Sequence, residues 1–269
     1  MDRSYSYNKR IKLIAKQDLE SVVPAYPESI STKYSFLDEQ ELICPTGITL
    51  VSSQILPGED FYYNLITNCS ESVSPLRACV ISYRRSFEHI CNKLLAIQTG
   101  ALLEGRPQRL SFCETSKKKL NDVLDSDNIQ INAAPPLRID DLITYMGHEL
   151  KEWTGIYFID RLNSFIYETE EEVLEKLYRF STQNQRPVVI YRQTESEEGE
   201  KDKEHSITFL ASQLLKTVTN HIIYVGWQNE NTQNGISIYV ESNKDIGLSD
   251  IHSLEWNYLN GKMIEELKQ

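Results

Sequence analysis

In GITLVSSQILPGEDFYYNLITNC, residues Gly47 to Cys69, the hydrophobic period changes partway along. Ile48 to Val51 is a short, mostly apolar run broken only by Thr49, the pattern of a strand buried on both faces. Pro57 and Gly58 interrupt it. Phe61, Tyr62, Leu65, Ile66 and Cys69 then recur at three- and four-residue spacing, which predicts one face of a helix. A strand, a loop and a helix therefore follow one another directly, as in one unit of an α/β sheet.

The same alternation continues downstream. Cys79-Val80-Ile81-Ser82-Tyr83 reads as a strand, and Phe87, Ile90, Cys91, Leu94 and Leu95 fit a helical stripe. Ile129-Gln130-Ile131 predicts another strand. Ile139, Leu142, Ile143, Met146, Leu150 and Trp153 line one helix face, which Asp140 and Asp141 open at the positive end of the dipole. Gly155 to Asp160 is a nearly unbroken apolar strand. A helix through Val173, Leu174, Leu177 and Tyr178 precedes the strand Pro187 to Tyr191. The charged run Glu195 to Glu204 predicts a solvated loop, and a helix is expected around Ile207 to Val218. The closing strands, Ile222 to Val225, Ile236 to Val240 and Ser253 to Tyr258, lie close enough together to be antiparallel. The expected architecture is α/β, a mainly parallel central sheet flanked by helices with antiparallel strands at its C-terminal edge. Residues 1 to about 40 are polar and broken by Pro24 and Pro27, so they predict an arm or lead-in before one domain over 41–269.

Across 269 residues, 28 Lys+Arg stand against 39 Asp+Glu, a net charge of -11, so no basic surplus points to nucleic acid. A DNA-facing patch would have to be local, and Arg84-Arg85, Arg106 to Arg109 and Lys117 to Lys119 are its candidates. Three adjacent lysines cannot share one helical side, which favours an exposed helix face for the last group. No apolar run reaches membrane-spanning length, and the expectation is a cytoplasmic protein without membrane association. Cys44, Cys69, Cys79, Cys91 and Cys113 are odd in number and lack C-x-x-C spacing, which reads as buried free thiols. His89, His148, His205, His221 and His252 have no ligand spacing, so no metal is expected. Fifteen tyrosines suit half-buried contacts, and the N-terminal ones could dock on a partner.

The loop after the first strand carries the chemical question. In nucleotide-binding domains of this architecture it is glycine-rich and ends in Lys-Ser/Thr at a helix start. Its backbone N–H groups cradle phosphate, the Lys neutralises charge and the hydroxyl binds Mg²⁺. Here Ser53 to Phe61 reads SQILPGEDF, with carboxylates at 59 and 60.

From roughly residue 43 to 260 the order of elements resembles the C-terminal domain of the bacterial replicative helicases, the DnaB-type hexameric motors. The resemblance implies a RecA-like P-loop NTPase fold. Glu59 and Asp60 stand where that family has Lys and Thr. In ACVISYRRSFEHICNKLLAIQTG (Ala78 to Gly100), Arg84 stands at the strand-end Glu that activates water. INAAPPLRIDDLITYMGHELKEWTGIYFIDRLNSF (Ile131 to Phe165) is similar to the segment ending in the Walker B Asp, matched by Asp160. RPVVIYRQT (Arg186 to Thr194) resembles the strand with the sensor Gln, matched by Gln193. In ISIYVESNKDIG (Ile236 to Gly247) the trans-acting Lys and Arg are replaced by Glu241 and Asn243, with Lys244 as a loose substitute.

The resemblance thus implies a degenerate nucleotide site at Pro57, Gly58, Glu59, Asp60, Arg84, Asp160 and Gln193. A carboxylate against phosphate costs about 4 kcal/mol per contact even at an effective dielectric of 20. The expectation is a chain without ATP hydrolysis and without bound cofactor, acting by interaction in DNA metabolism, with a protein partner or self-association such as a helicase ring. Two alternatives remain. One is an active ATP- and Mg²⁺-dependent motor using Lys244 or displaced arginines, and the other is a nucleotide-independent DNA-binding module. The plainer reading of Glu59 and Asp60 is acidic residues in a helix's first turn, worth roughly 0.3 to 1 kcal/mol each against the dipole. Without its partner hydroxyl, Asp160 reads as a polar strand end capping a neighbouring loop.

Overall fold

β1 (Ile48–Ser53) is buried along its whole length. It pairs in parallel with β7 (Val188–Gln193) on one side and with β8 (His221–Asn229) on the other. A computed structural model describes residues 29–41, 43, 46–53, 56–74, 76–104, 109–125, 127–148, 153–161, 165, 167–193, 219–229, 234–242 and 252–265. The remaining strands are β2 (Arg77–Ile81), β3 (Leu102–Glu104), β4 (Arg109–Ser111), β5 (Ile129–Asn132), β6 (Thr154–Asp160), β9 (Asn234–Ser242), β10 (His252–Asn257) and β11 (Lys262–Glu265). The helices are α1 (Ser35–Asp38), α2 (Leu56–Ser72), α3 (Phe87–Thr99), α4 (Glu114–Asp125), α5 (Ile139–His148) and α6 (Glu170–Asn184).

The main sheet runs β11-β10-β9-β8-β1-β7-β6-β2-β5. From β8 to β5 every pairing is parallel, and β8, β9, β10 and β11 alternate antiparallel, as the spacing of the last strands predicted. Both faces are covered, so successive residues of one strand enter opposite cores. Ile156 and Phe158 of β6 pack with α2 and α3, whereas Tyr157 and Ile159 pack with α5 and α6.

Several boundaries differ from the sequence reading. α2 begins at Leu56, so Pro57 and Gly58 belong to its first turn, where a proline lacking an N–H costs no helical hydrogen bond. Trp153 lies in a turn outside α5 and is exposed, and Leu150 lies outside the described residues. On α6 the inward stripe continues to Phe180 and Ser181, while Tyr178 faces solvent. The β3–β4 hairpin and β11 are additional elements, and Lys117, Lys118 and Lys119 all lie exposed on α4. Residues 29–41, grouped by their polarity with the lead-in, place Ile30, Tyr34, Phe36 and Leu37 in the same core as α2. Cys69 and Cys79 are buried free thiols, Cys91 is half-buried and Cys113 is exposed. Cys44, the charged run 195–204 and the expected helix 207–218 lie outside the described residues.

Candidate functional site

The carboxyl ends of β1, β2, β6 and β7 meet the first turn of α2, the place where open α/β sheets leave a crevice for ligands. Gly58 sits there against the end of β1. A Cβ on it would lie 2.1 Å from the Ser53 Cβ and 2.2 Å from its hydroxyl, so only glycine fits. The Ser53 hydroxyl itself donates to the Val225 carbonyl at 3.0 Å. Pro57, Gly58, Glu59 and Asp60 are all buried.

Glu59 is paired within the chain. Arg85 donates to both its oxygens, from Nε at 2.7 Å and from Nη2 at 2.6 Å, while Arg84 approaches at 3.9 Å. This forked geometry is the strong form of the ion pair. Burial alone would raise the Glu59 carboxyl, but the Arg85 hydrogen bonds, with the charges of Arg85, Arg84 and His89, hold it below the usual carboxylate value. Arg85 is thus the principal partner, with Arg84, the residue matched to the strand-end Glu, a second cation at longer range. Ser82 explains the preference: its hydroxyl accepts from the Arg85 N–H at 3.0 Å, closing the turn that aims Arg85 at α2.

Asp60 is enclosed separately. Lys93 of α3 reaches its Oδ1 at 2.6 Å, and the Trp256 indole N–H donates to its Oδ2 at 3.0 Å. Burial and the neighbouring Arg85 lower the basicity of His89, which stands between the two ion pairs on α3.

Asp160, at the end of β6, accepts from the Ser82 hydroxyl and from the Tyr83 N–H at 2.6 Å. Burial raises its carboxyl above the ordinary value against the pull of these hydrogen bonds. Its lone pairs serve the turn after β2. Tyr63 and Tyr191 line the same space, their phenols pushed far up by burial and by the Glu59 charge. Gln193 is exposed at the end of β7, in register with Ser53 of β1. Lys244 and Asn243 lie outside the described residues, as does the side chain of Glu241.

Glu59, Asp60, Arg84 and Asp160 are therefore brought together, and Arg85, Lys93 and Trp256 complete the cluster. Glu59 and Asp60 are buried acceptors, each ion-paired within the chain, to Arg85 and to Lys93. Among the described residues no group of three or more His, Cys, Asp or Glu is placed to hold a metal ion. No helix among them is long and apolar enough to cross a membrane.

The fold is RecA-like α/β, the architecture also found in solved DnaB-like helicase structures. A solved structure among the DnaB-like ATPase domains matches with a TM-score of 0.73 and 13% identity, over 93% of this chain and 95% of that one. A DnaB-like replicative helicase, described with its interactions with primase, matches at 0.72 and 12% identity over 92% of this chain and 66% of its own. A KaiC-like protein of Pyrococcus horikoshii follows at 0.55 and 11%, over 83% and 90%. At these identities the likeness is one of fold. No family model and no curated protein matches the sequence.

Proposed function

We infer that the chain is a helicase-type RecA-fold protein that has lost ATP hydrolysis and acts through protein contacts, as a regulatory or assembly component in DNA metabolism. The observation that carries this reading is the pairing of Glu59 with Arg85 and of Asp60 with Lys93 and Trp256, at the turn where such a fold would hold phosphate. Anionic phosphate entering there would meet two buried carboxylates and would have to strip both of their cations. Breaking one buried pair costs about 3 to 5 kcal/mol, so MgATP would spend much of its binding energy on opening the site. One solved neighbour is described with primase, which supports a protein partner as the target; self-association into a ring is the other form of contact.

The retained Asp160 and the exposed Gln193 favour a second reading, an active ATP-dependent motor with displaced catalytic residues. Calorimetric titration with MgATP and with a non-hydrolysable analogue separates the two. The first reading expects no binding heat from the wild-type chain. A Glu59→Lys, Asp60→Thr, Arg85→Gln variant, which supplies a Lys-Thr pair and removes the guanidinium facing position 59 without adding an anion, is expected to gain binding. Tight binding by the wild type, with turnover lost in Asp160→Ala, would establish the motor.

A further inference from the structure

β10 pairs with β9 only at His252, Ser253 and Leu254. Beyond that point Glu255 to Asn257 are matched with Lys262 to Ile264, so the end of the sheet continues as a two-stranded ribbon. A two-stranded ribbon is marginal in water unless it packs on something else. This one lies on α2. The Asn64 amide donates to the Gly261 carbonyl at 2.8 Å and accepts from the Met263 N–H at 3.1 Å, in the manner of an additional strand. One helical turn earlier, Asp60 takes the Trp256 indole N–H while Lys93 of α3 holds its other oxygen. Gly261, at φ +75°, passes directly over that carboxylate; a Cβ there would lie 3.0 to 3.2 Å from its atoms. Met263 is buried beside these contacts.

We propose that Asp60 is a built-in anionic clamp: its carboxylate fastens the C-terminal ribbon, residues 255–265, across the first turns of α2 as a strap. The clamp ties three elements together, α2 through Asp60 itself, α3 through Lys93 and the ribbon through Trp256. Asn64 fixes the register of the ribbon, and Asp60 fixes its closure. The turn at the ribbon's tip is further linked to the small hairpin, where the Leu103 N–H donates to the Leu259 carbonyl at 2.9 Å. Tyr258 and Leu259 are thereby displayed to solvent on a braced tip. The strap stands independently of whether the chain hydrolyses ATP, because its contacts are all within the chain.

Amide hydrogen exchange of the full-length protein tests the clamp without nucleotide. Asp60→Ala removes a charge-assisted hydrogen bond and an indole bond, and exchange over 255–265 is expected to rise about tenfold or more while 48–53 and 188–193 keep wild-type rates. Unchanged exchange in the ribbon overturns the proposal, and so does an equal rise throughout the sheet, which would make Asp60 a general stability element. Should Asp60→Ala fail to fold, Trp256→Phe removes one donor and leaves the Lys93 pair in place. A rise confined to the ribbon then supports the clamp, and an unchanged or uniform pattern overturns it. Nucleotide binding has its own calorimetric readout, so failure of either idea leaves the other to be judged separately.

Discussion

Arg85 decides the chemistry of the site more than any other side chain. Its fork closes on a Glu59 carboxylate that is almost wholly buried, so truncation leaves a charge without a partner. Arg85→Ala is expected to cost about 3 kcal/mol or more in urea unfolding. Exchange of the charges is more informative. Glu59→Lys places a third cation beside Arg84 and Arg85, Arg85→Glu places a second carboxylate beside Glu59, and each should be strongly destabilising alone. The double exchange should recover most of the loss, and a double-mutant cycle checks the coupling. The pair also sets a pH dependence. The Glu59 carboxyl is lowered in the folded state, so its stabilisation is complete above the usual carboxylate range and lost as pH falls through the depressed value. Wild type should lose stability more steeply than Glu59→Gln on acidification, as read by urea midpoints at successive pH values. Asp160 runs the other way: its raised carboxyl favours the folded state at low pH, and that contribution disappears as pH rises through its folded value. The acidic pair was legible at this scale, because Glu59 and Asp60 are adjacent in the sequence at the position where the resemblance implies a Lys and a Thr. The partner was not, because Arg84 and Arg85 are adjacent in sequence and only the Ser82 turn selects between them.

Elements form where local signals agree with burial. α3 starts at Ser86, whose hydroxyl accepts from the His89 N–H, and ends at Gly100 in the left-handed conformation. α6 starts with a complete capping box: the Thr169 hydroxyl accepts from the Glu172 N–H at 3.2 Å, and the Glu172 carboxylate accepts from the Thr169 N–H at 2.9 Å. Thr169→Ala should cost about 1 kcal/mol, measured by chemical unfolding, with no change in the site. Periodicity found α2, α3, α5 and α6 because each buries a stripe. It placed Trp153 on α5 because the apolar spacing continues to that residue, which lies in a turn. It passed over β11 because Lys262, Met263, Ile264 and Glu265 alternate too briefly to stand out, and this strand is tied to α2 by Asn64, which accepts from the Met263 N–H.

Across the whole molecule, stability is centred on the parallel strands. Ile190 of β7 is fully buried between β1 and β6, whereas Ile264 on edge strand β11 is half-exposed. Ile190→Ala should therefore cost about 3 kcal/mol or more, and Ile264→Ala about 0.5 kcal/mol or less, by the same unfolding measurement. The alternation of apolar strands with amphipathic helices determined the layered α/β fold, since strands buried on both faces need helices on both sides. Close spacing of the last strands likewise determined the antiparallel edge, because short connections leave no room for a crossover. Burial of residues 29–41 was decided only by tertiary structure: their polarity suggests an arm, yet Ile30, Tyr34, Phe36 and Leu37 find apolar partners on α2 and at the C-terminal edge of the sheet. The same holds for the site. Glu59 and Asp60 stand out in the sequence as two adjacent carboxylates, but that Arg85 and Lys93 neutralise them, with the Trp256 indole as a further donor, depends on side chains up to 196 positions apart meeting at one helix turn, and chain separation carries no local signal of such contacts.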